Sequence, residues 1–133
     1  MNRNTEDEAA AGAAAGARCS EATLRGRYLF AYDGVDISKN VQVPFAYAGY
    51  QEHDGRRAVH GRFSGNFNGT VTSPPESFSG TYTVNNADCT GEVTTKDGSK
   101  YDLFIAPDGS MFTFVQTRPK DVVASGTAHR VSR

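Results

Sequence analysis

From Ala22 onward apolar and polar residues alternate with a period of two, the spacing of strands with one buried face and not the 3.6-residue spacing of an amphipathic helix. The alternation predicts eight strands, over residues 22–32, 41–50, 57–71, 76–85, 89–95, 99–106, 110–117 and 122–131. Three connections, His53-Asp54-Gly55-Arg56, Lys96-Asp97-Gly98 and Pro107-Asp108-Gly109, place Asp-Gly where a hairpin needs positive φ, so successive strands should be antiparallel. Ser73-Pro74-Pro75 and Arg118-Pro119 read as strand breaks because proline cannot donate to a ladder. Residues 33–40 form the longest predicted loop and border a barrel mouth.

The same alternation assigns faces. Tyr28, Phe30 and Tyr32 share one side of the first strand, Val41, Val43, Phe45 and Tyr47 one side of the second, and Phe63 and Phe67 one side of the third. These sides should point inward. Gly61 and Gly65 fall in phase with Phe63 and Phe67, and alternating absent and large side chains let a sheet curl tightly. The expected fold is therefore all-β, a small antiparallel up-and-down barrel. In the seventh strand Phe112, Phe114 and Gln116 oppose Met111, Thr113 and Val115, so both faces are largely apolar. Such an outer face calls for cover, by the amino-terminal tail or by a second subunit in a homodimer.

Composition supports this picture: the chain has eight Phe, six Tyr and fourteen Gly but no Trp, which suits strands and tight turns. Residues 1–18, MNRNTEDEAAAGAAAGAR, interrupt an alanine run with glycines and read as a flexible tail, leaving 19–133 as the barrel domain. A formal net charge of −1 with interspersed signs offers no field for a phosphate backbone, so nucleic acid is not an expected partner. No segment reaches the roughly 20 apolar residues of a helical membrane span. Glu6, Asp7 and Glu8 stand where a secretory signal needs positive charge. A full-length chain would then be cytoplasmic, and a processed form exported. Cys19 and Cys89 are consistent with one disulfide or with two reduced thiols.

Three segments, CSEATLRGRYLFAYDG, GTYTVNNADCTGEVT and FTFVQTRPKDVVASGTAHR, resemble a pattern found in small bacterial barrel proteins, and the likeness spans residues 19–130. That group is similar in architecture to the calycin-type barrels, which include lipocalins, plant allene oxide cyclases and the small bacterial cyclases that form spirotetronate rings. The resemblance implies an apolar lumen that receives a flexible hydrophobic molecule and, in the cyclases, folds it for ring closure without a cofactor. The carboxylate that allene oxide cyclases keep in their pocket has no inward match here, since Glu92 alternates with Gly91 and Val93 and should face solvent.

The candidate chemistry is the inward aromatic set. Tyr28, Tyr32, Tyr47 and Tyr82 would bring hydroxyls as well as rings inside, and each buried hydroxyl needs a partner. A barrel of this size is either filled by its own side chains or holds one small ligand. In the second case Tyr82, Gln116 and Tyr28 are the candidate catalytic groups, able to polarise a carbonyl or enol, and Phe30, Tyr32, Phe45, Tyr47, Phe63, Phe112 and Phe114 are the candidate ligand-binding wall. Gln116 has a structural use as well, satisfying backbone groups at a rim. Asp102 is either a desolvated acid or a solvated strand-end residue beside Lys100. His53, His60 and His129 are too scattered for a zinc site or a triad, so no metal and no cofactor is expected. His60, Arg62, Ser64 and Asn66 belong to a polar outer face. Two functions fit: a cofactor-independent cyclase or isomerase of a polyketide- or lipid-like substrate, and a non-catalytic lipocalin-like carrier or exported structural barrel.

Overall fold

The computed structural model describes residues 18–133. The tail expected over residues 1–18 therefore lies outside the described residues, apart from Arg18. A short 3₁₀ helix, Glu21–Leu24, precedes eight strands: β1 Gly26–Asp36, β2 Val43–His53, β3 Ala58–Phe67, β4 Thr70–Asn85, β5 Thr90–Thr95, β6 Lys100–Ile105, β7 Met111–Arg118 and β8 Val122–Ser132. Each strand pairs antiparallel with the next, and β8 returns to pair with β1, closing an up-and-down barrel with no free edge among the paired segments.

Closure depends on tight backbone approach at a few places. Gly65 on β3 faces Tyr47 on β2, whose ring occupies the space that a Cβ there would need. The missing side chain thus leaves room for an aromatic ring from the neighbouring strand.

Several boundaries differ from the sequence expectation, among them the second strand, which runs over Val43–His53 instead of 41–50. The first strand starts at Gly26 instead of residue 22 because Ser20 and Thr23 form a capping box that winds Glu21–Leu24 into a helical turn. It then continues to Asp36 through what was expected to be a loop, since residues 33–36 pair with β2 and β8 on both sides. The third strand ends at Phe67, where Asn68 and Gly69 both take positive φ (51° and 97°) and make the two-residue hairpin that Asn-Gly favours. Pro74 and Pro75 do not break β4. Its ladder to β3 is interrupted between the Phe63–Glu76 and Gly65–Thr72 pairs, and β5 pairs only with residues 80–85 of β4. Neither proline is asked to donate, so both are tolerated.

Inward phase follows the expectation in most strands, with two corrections at the open end. Val41 lies before β2 and is 57 % exposed, and Phe67 is 38 % exposed at the rim, stacked on Phe45 at 6.0 Å between ring centroids. The core runs along the lumen from Leu24 and Tyr28 through Phe112 and Leu103 to Phe114. Outside, Leu29, Phe104, Val115, Val123 and Val131 are exposed in the single chain. His60, Arg62, Ser64 and Asn66 are all on the outer surface, where His60 sits 3.6 Å from Glu52 and Arg62 donates to the Pro75 carbonyl at 2.9 Å.

Candidate functional site

The 3₁₀ helix closes one end of the barrel. Leu24 is fully buried, and a disulfide joins Cys19, just before the helix, to Cys89 in the β4–β5 turn. The helix backbone is held from below by long-range hydrogen bonds. The Tyr82 hydroxyl donates to the Glu21 carbonyl at 3.0 Å, and Arg130 Nη1 donates to the Thr23 carbonyl at 3.0 Å. Tyr28 donates its hydroxyl to the Gly109 carbonyl. Burial raises the Tyr28 hydroxyl above the usual phenol range, against the opposing effect of Arg130, and pushes Tyr82 up to about 12. Both groups are therefore neutral hydrogen-bond donors committed to main-chain carbonyls.

Above this packed end the lumen holds a cavity of about 330 Å³. Phe30 from β1, Phe63 from β3 and Phe78 from β4 wall one side; Val93 from β5 and Tyr101 and Leu103 from β6 wall the other; Phe112 and Phe114 come from β7. Sheet register explains where it opens. β4 runs ten residues beyond its paired stretch with β5, so its Glu76–Ser79 segment and the β5–β6 turn at Thr95–Asp97 form the cavity's polar edge, tied together where Lys96 N–H donates to the Ser79 carbonyl at 3.0 Å.

Two polar groups reach the apolar interior from β2. Gln51 is 8 % exposed and lines the cavity, and His53, two residues on and in the same phase, is 3 % exposed behind it. His53 Nε2 and Gln51 Oε1 are 2.8 Å apart. The imidazole is enclosed by the rings of Tyr28, Tyr82 and Phe112, with centroids at 5.4, 4.7 and 5.8 Å, and its Nδ1 is buried with no hydrogen-bond partner among the described residues. Burial pushes the ring's pKa down to about 3, outweighing the neighbouring Asp54 carboxylate, so the imidazole is neutral. Nearer the mouth, Tyr32 and Tyr101 meet edge to face at 6.1 Å. Burial raises both hydroxyls above the ordinary phenol range, and for Tyr32 the adjacent Tyr101 hydroxyl adds to the effect.

The structure divides the sequence-predicted residues into three groups. Phe30, Tyr32, Phe63, Phe112 and Phe114 line the cavity. Phe45 and Tyr47 lie outside its lining, in an aromatic cluster with Tyr32 at centroid distances of 6.0 and 5.5 Å. Tyr28, Tyr82 and Gln116 also lie outside it. The two tyrosines belong to the capped end, and Gln116, only part-buried, donates its amide N–H to the Arg118 carbonyl at 3.1 Å, satisfying a backbone group at the rim. Asp102 faces outward beside Glu92, which pairs with Lys100 at 3.7 Å.

The residues that the sequence pattern left out of the site include Gln51, His53, Phe78 and Tyr101, with His53 weighed only as a metal or triad residue. A signal for the first two was present, because 45, 47, 51 and 53 share one phase of β2. Polar side chains in an apolar phase read as strand-end residues until the strand is seen to continue to His53. Among the described residues no group of three His, Cys, Asp or Glu side chains is placed to hold a metal ion, and no helix is long and apolar enough to cross a membrane.

No protein-family model and no curated protein sequence matches this chain. Among solved structures it is similar to a de novo designed fluorescence-activating β-barrel, at 17 % identity and a TM-score of 0.48, over 80 % of this chain and 93 % of that one.

Proposed function

We propose that this barrel binds a hydrophobic small molecule in the lumen cavity, with Phe30, Phe63, Phe78, Val93, Leu103 and Phe114 as its wall. One observation carries the reading: the capped half of the lumen is filled by its own side chains, yet the half above it keeps about 330 Å³ between apolar walls. That volume is at the small end of ligand pockets and suits about two fused rings or a short folded chain. The rim of Glu76, Lys96 and Asp97 leaves a polar group of such a molecule in water.

Binding of an environment-sensitive hydrophobic dye tests the proposal. Saturable, one-to-one binding that disappears in Val93→Trp, where the indole occupies the cavity, supports it; dye binding unaffected by that substitution refutes the site.

A catalytic form of the same reading is a cofactor-independent cyclase or isomerase of a polyketide- or lipid-like substrate. Confinement alone can supply about 7 to 11 kcal/mol of a barrier at best. What favours this form is that Gln51 and the Tyr32–Tyr101 pair bring polar groups to the apolar wall, where a substrate carbonyl could be polarised. Tyr28 and Tyr82 would act through the packing of the floor, since their hydroxyls are spent on backbone carbonyls. Mass spectrometry of the native protein with any copurified molecule, before and after incubation, separates carrier from catalyst: a changed mass identifies turnover.

A further inference from the structure

The Gln51–His53 pair determines which chemistry the cavity floor presents. His53 has two ring nitrogens in a site that burial keeps neutral, so one carries a proton and the other accepts. If Nδ1 carried the proton, that N–H would be buried with no acceptor, because no partner reaches Nδ1 among the described residues. With the proton on Nε2, only an acceptor is left unpaired at Nδ1. An orphaned N–H is the rarer and costlier of the two, so the proton belongs on Nε2. Nε2–H then donates across 2.8 Å to Gln51 Oε1.

That bond turns the amide oxygen toward the imidazole and engages one of its two lone pairs. Among the described residues no protein group pairs with Gln51 Nε2, and Gln51 is part of the cavity lining. The end of the amide left for the lumen is therefore its NH2, with two N–H donors. His53 is held in turn by the aromatic enclosure of Tyr28, Tyr82 and Phe112, so the amide cannot reverse without leaving the imidazole proton unpaired.

We propose that the cavity selects hydrophobic ligands bearing a hydrogen-bond acceptor, a ketone or similar carbonyl, which seats against the Gln51 amide. His53 is a positioning residue: it does not meet the ligand but fixes which end of the amide does. The inference rests on the hydrophobic-ligand reading of the cavity and adds the polarity of the recognised group.

Three bicyclic probes of nearly equal size separate the two claims. Indanone carries a carbonyl, indane carries no polar group, and indole carries an N–H donor. Binding is followed by NMR titration, with the Gln51 side-chain amide protons as the local reporter. The wild-type protein should bind indanone about fivefold to tenfold more tightly than indole, with the Gln51 amide protons shifting downfield for indanone alone. In Gln51→Leu the preference should vanish while indane binding persists. In His53→Phe, which keeps a ring in the aromatic enclosure, the freed amide can turn its oxygen to the lumen, so the preference should also collapse while indane binding persists. A melting curve for each variant establishes that it is folded.

Equal binding of indanone and indole by the wild-type protein, or a preference that survives in Gln51→Leu or His53→Phe, overturns this inference and leaves the cavity reading standing. Saturable binding of none of the three overturns both.

Discussion

Replacing His53 by Phe should flatten the acid limb of the protein's stability curve. In the unfolded chain the imidazole titrates at its ordinary value of 6.5, whereas burial holds it at about 3 in the folded barrel. Between those values the unfolded state binds a proton that the folded state refuses, so stability is full above the unfolded value and falls as pH drops through the window. Going from about pH 7 to about pH 4.5 should cost about 2.5 kcal/mol from this one group, a large share of the stability of a domain this size. Tyr28 and Tyr82, the other titratable groups against the ring, stay protonated throughout, and burial dominates the neighbouring Asp54 carboxylate. His53→Phe keeps a ring of similar size in the same enclosure and removes the orphaned Nδ1, so it should lie within about 1 kcal/mol of the wild type at neutral pH. Urea unfolding followed by circular dichroism at several pH values measures the difference between the two proteins, which cancels every other titrating group. Parallel loss of stability in both proteins across the window would refute the assignment of His53 as a buried neutral imidazole.

Other substitutions test the two ends of the lumen. Loss of the Cys19–Cys89 bridge, in a double Ser variant, should lower stability by about 2 to 4 kcal/mol, read by urea titration, because it closes a long loop and pins the helical plug. Phe112→Ala should cost about 3 to 5 kcal/mol and also change dye affinity, since that ring packs on Tyr28 and borders the cavity. Tyr82→Phe should cost about 1 kcal/mol through the lost bond to the Glu21 carbonyl, with dye affinity unchanged. A large affinity loss in that variant would restore its hydroxyl to the ligand site.

The period-two alternation from residue 22 onward determined the class of fold and most inward positions, because a strand sends every second side chain to the same face whatever its partners are. Hence Phe30, Tyr32, Phe63, Phe112 and Phe114 were legible as lumen residues before any strand was placed. Depth along the lumen was not legible. Tyr28 and Tyr32 share a phase, but only the plug formed by Glu21–Leu24 decides that one is spent on the Gly109 carbonyl and the other borders a cavity. That plug is anchored by contacts across 61 and 107 residues of chain, from Tyr82 and Arg130, which no local pattern contains. The prolines of β4 show the same limit, since whether a missing N–H matters depends on the neighbour it would have bonded. Gln51 and His53 stood in an inward phase all along. Their meaning came from tertiary packing, which buries the imidazole among aromatic rings and holds it 2.8 Å from the oxygen of an amide that lines the cavity.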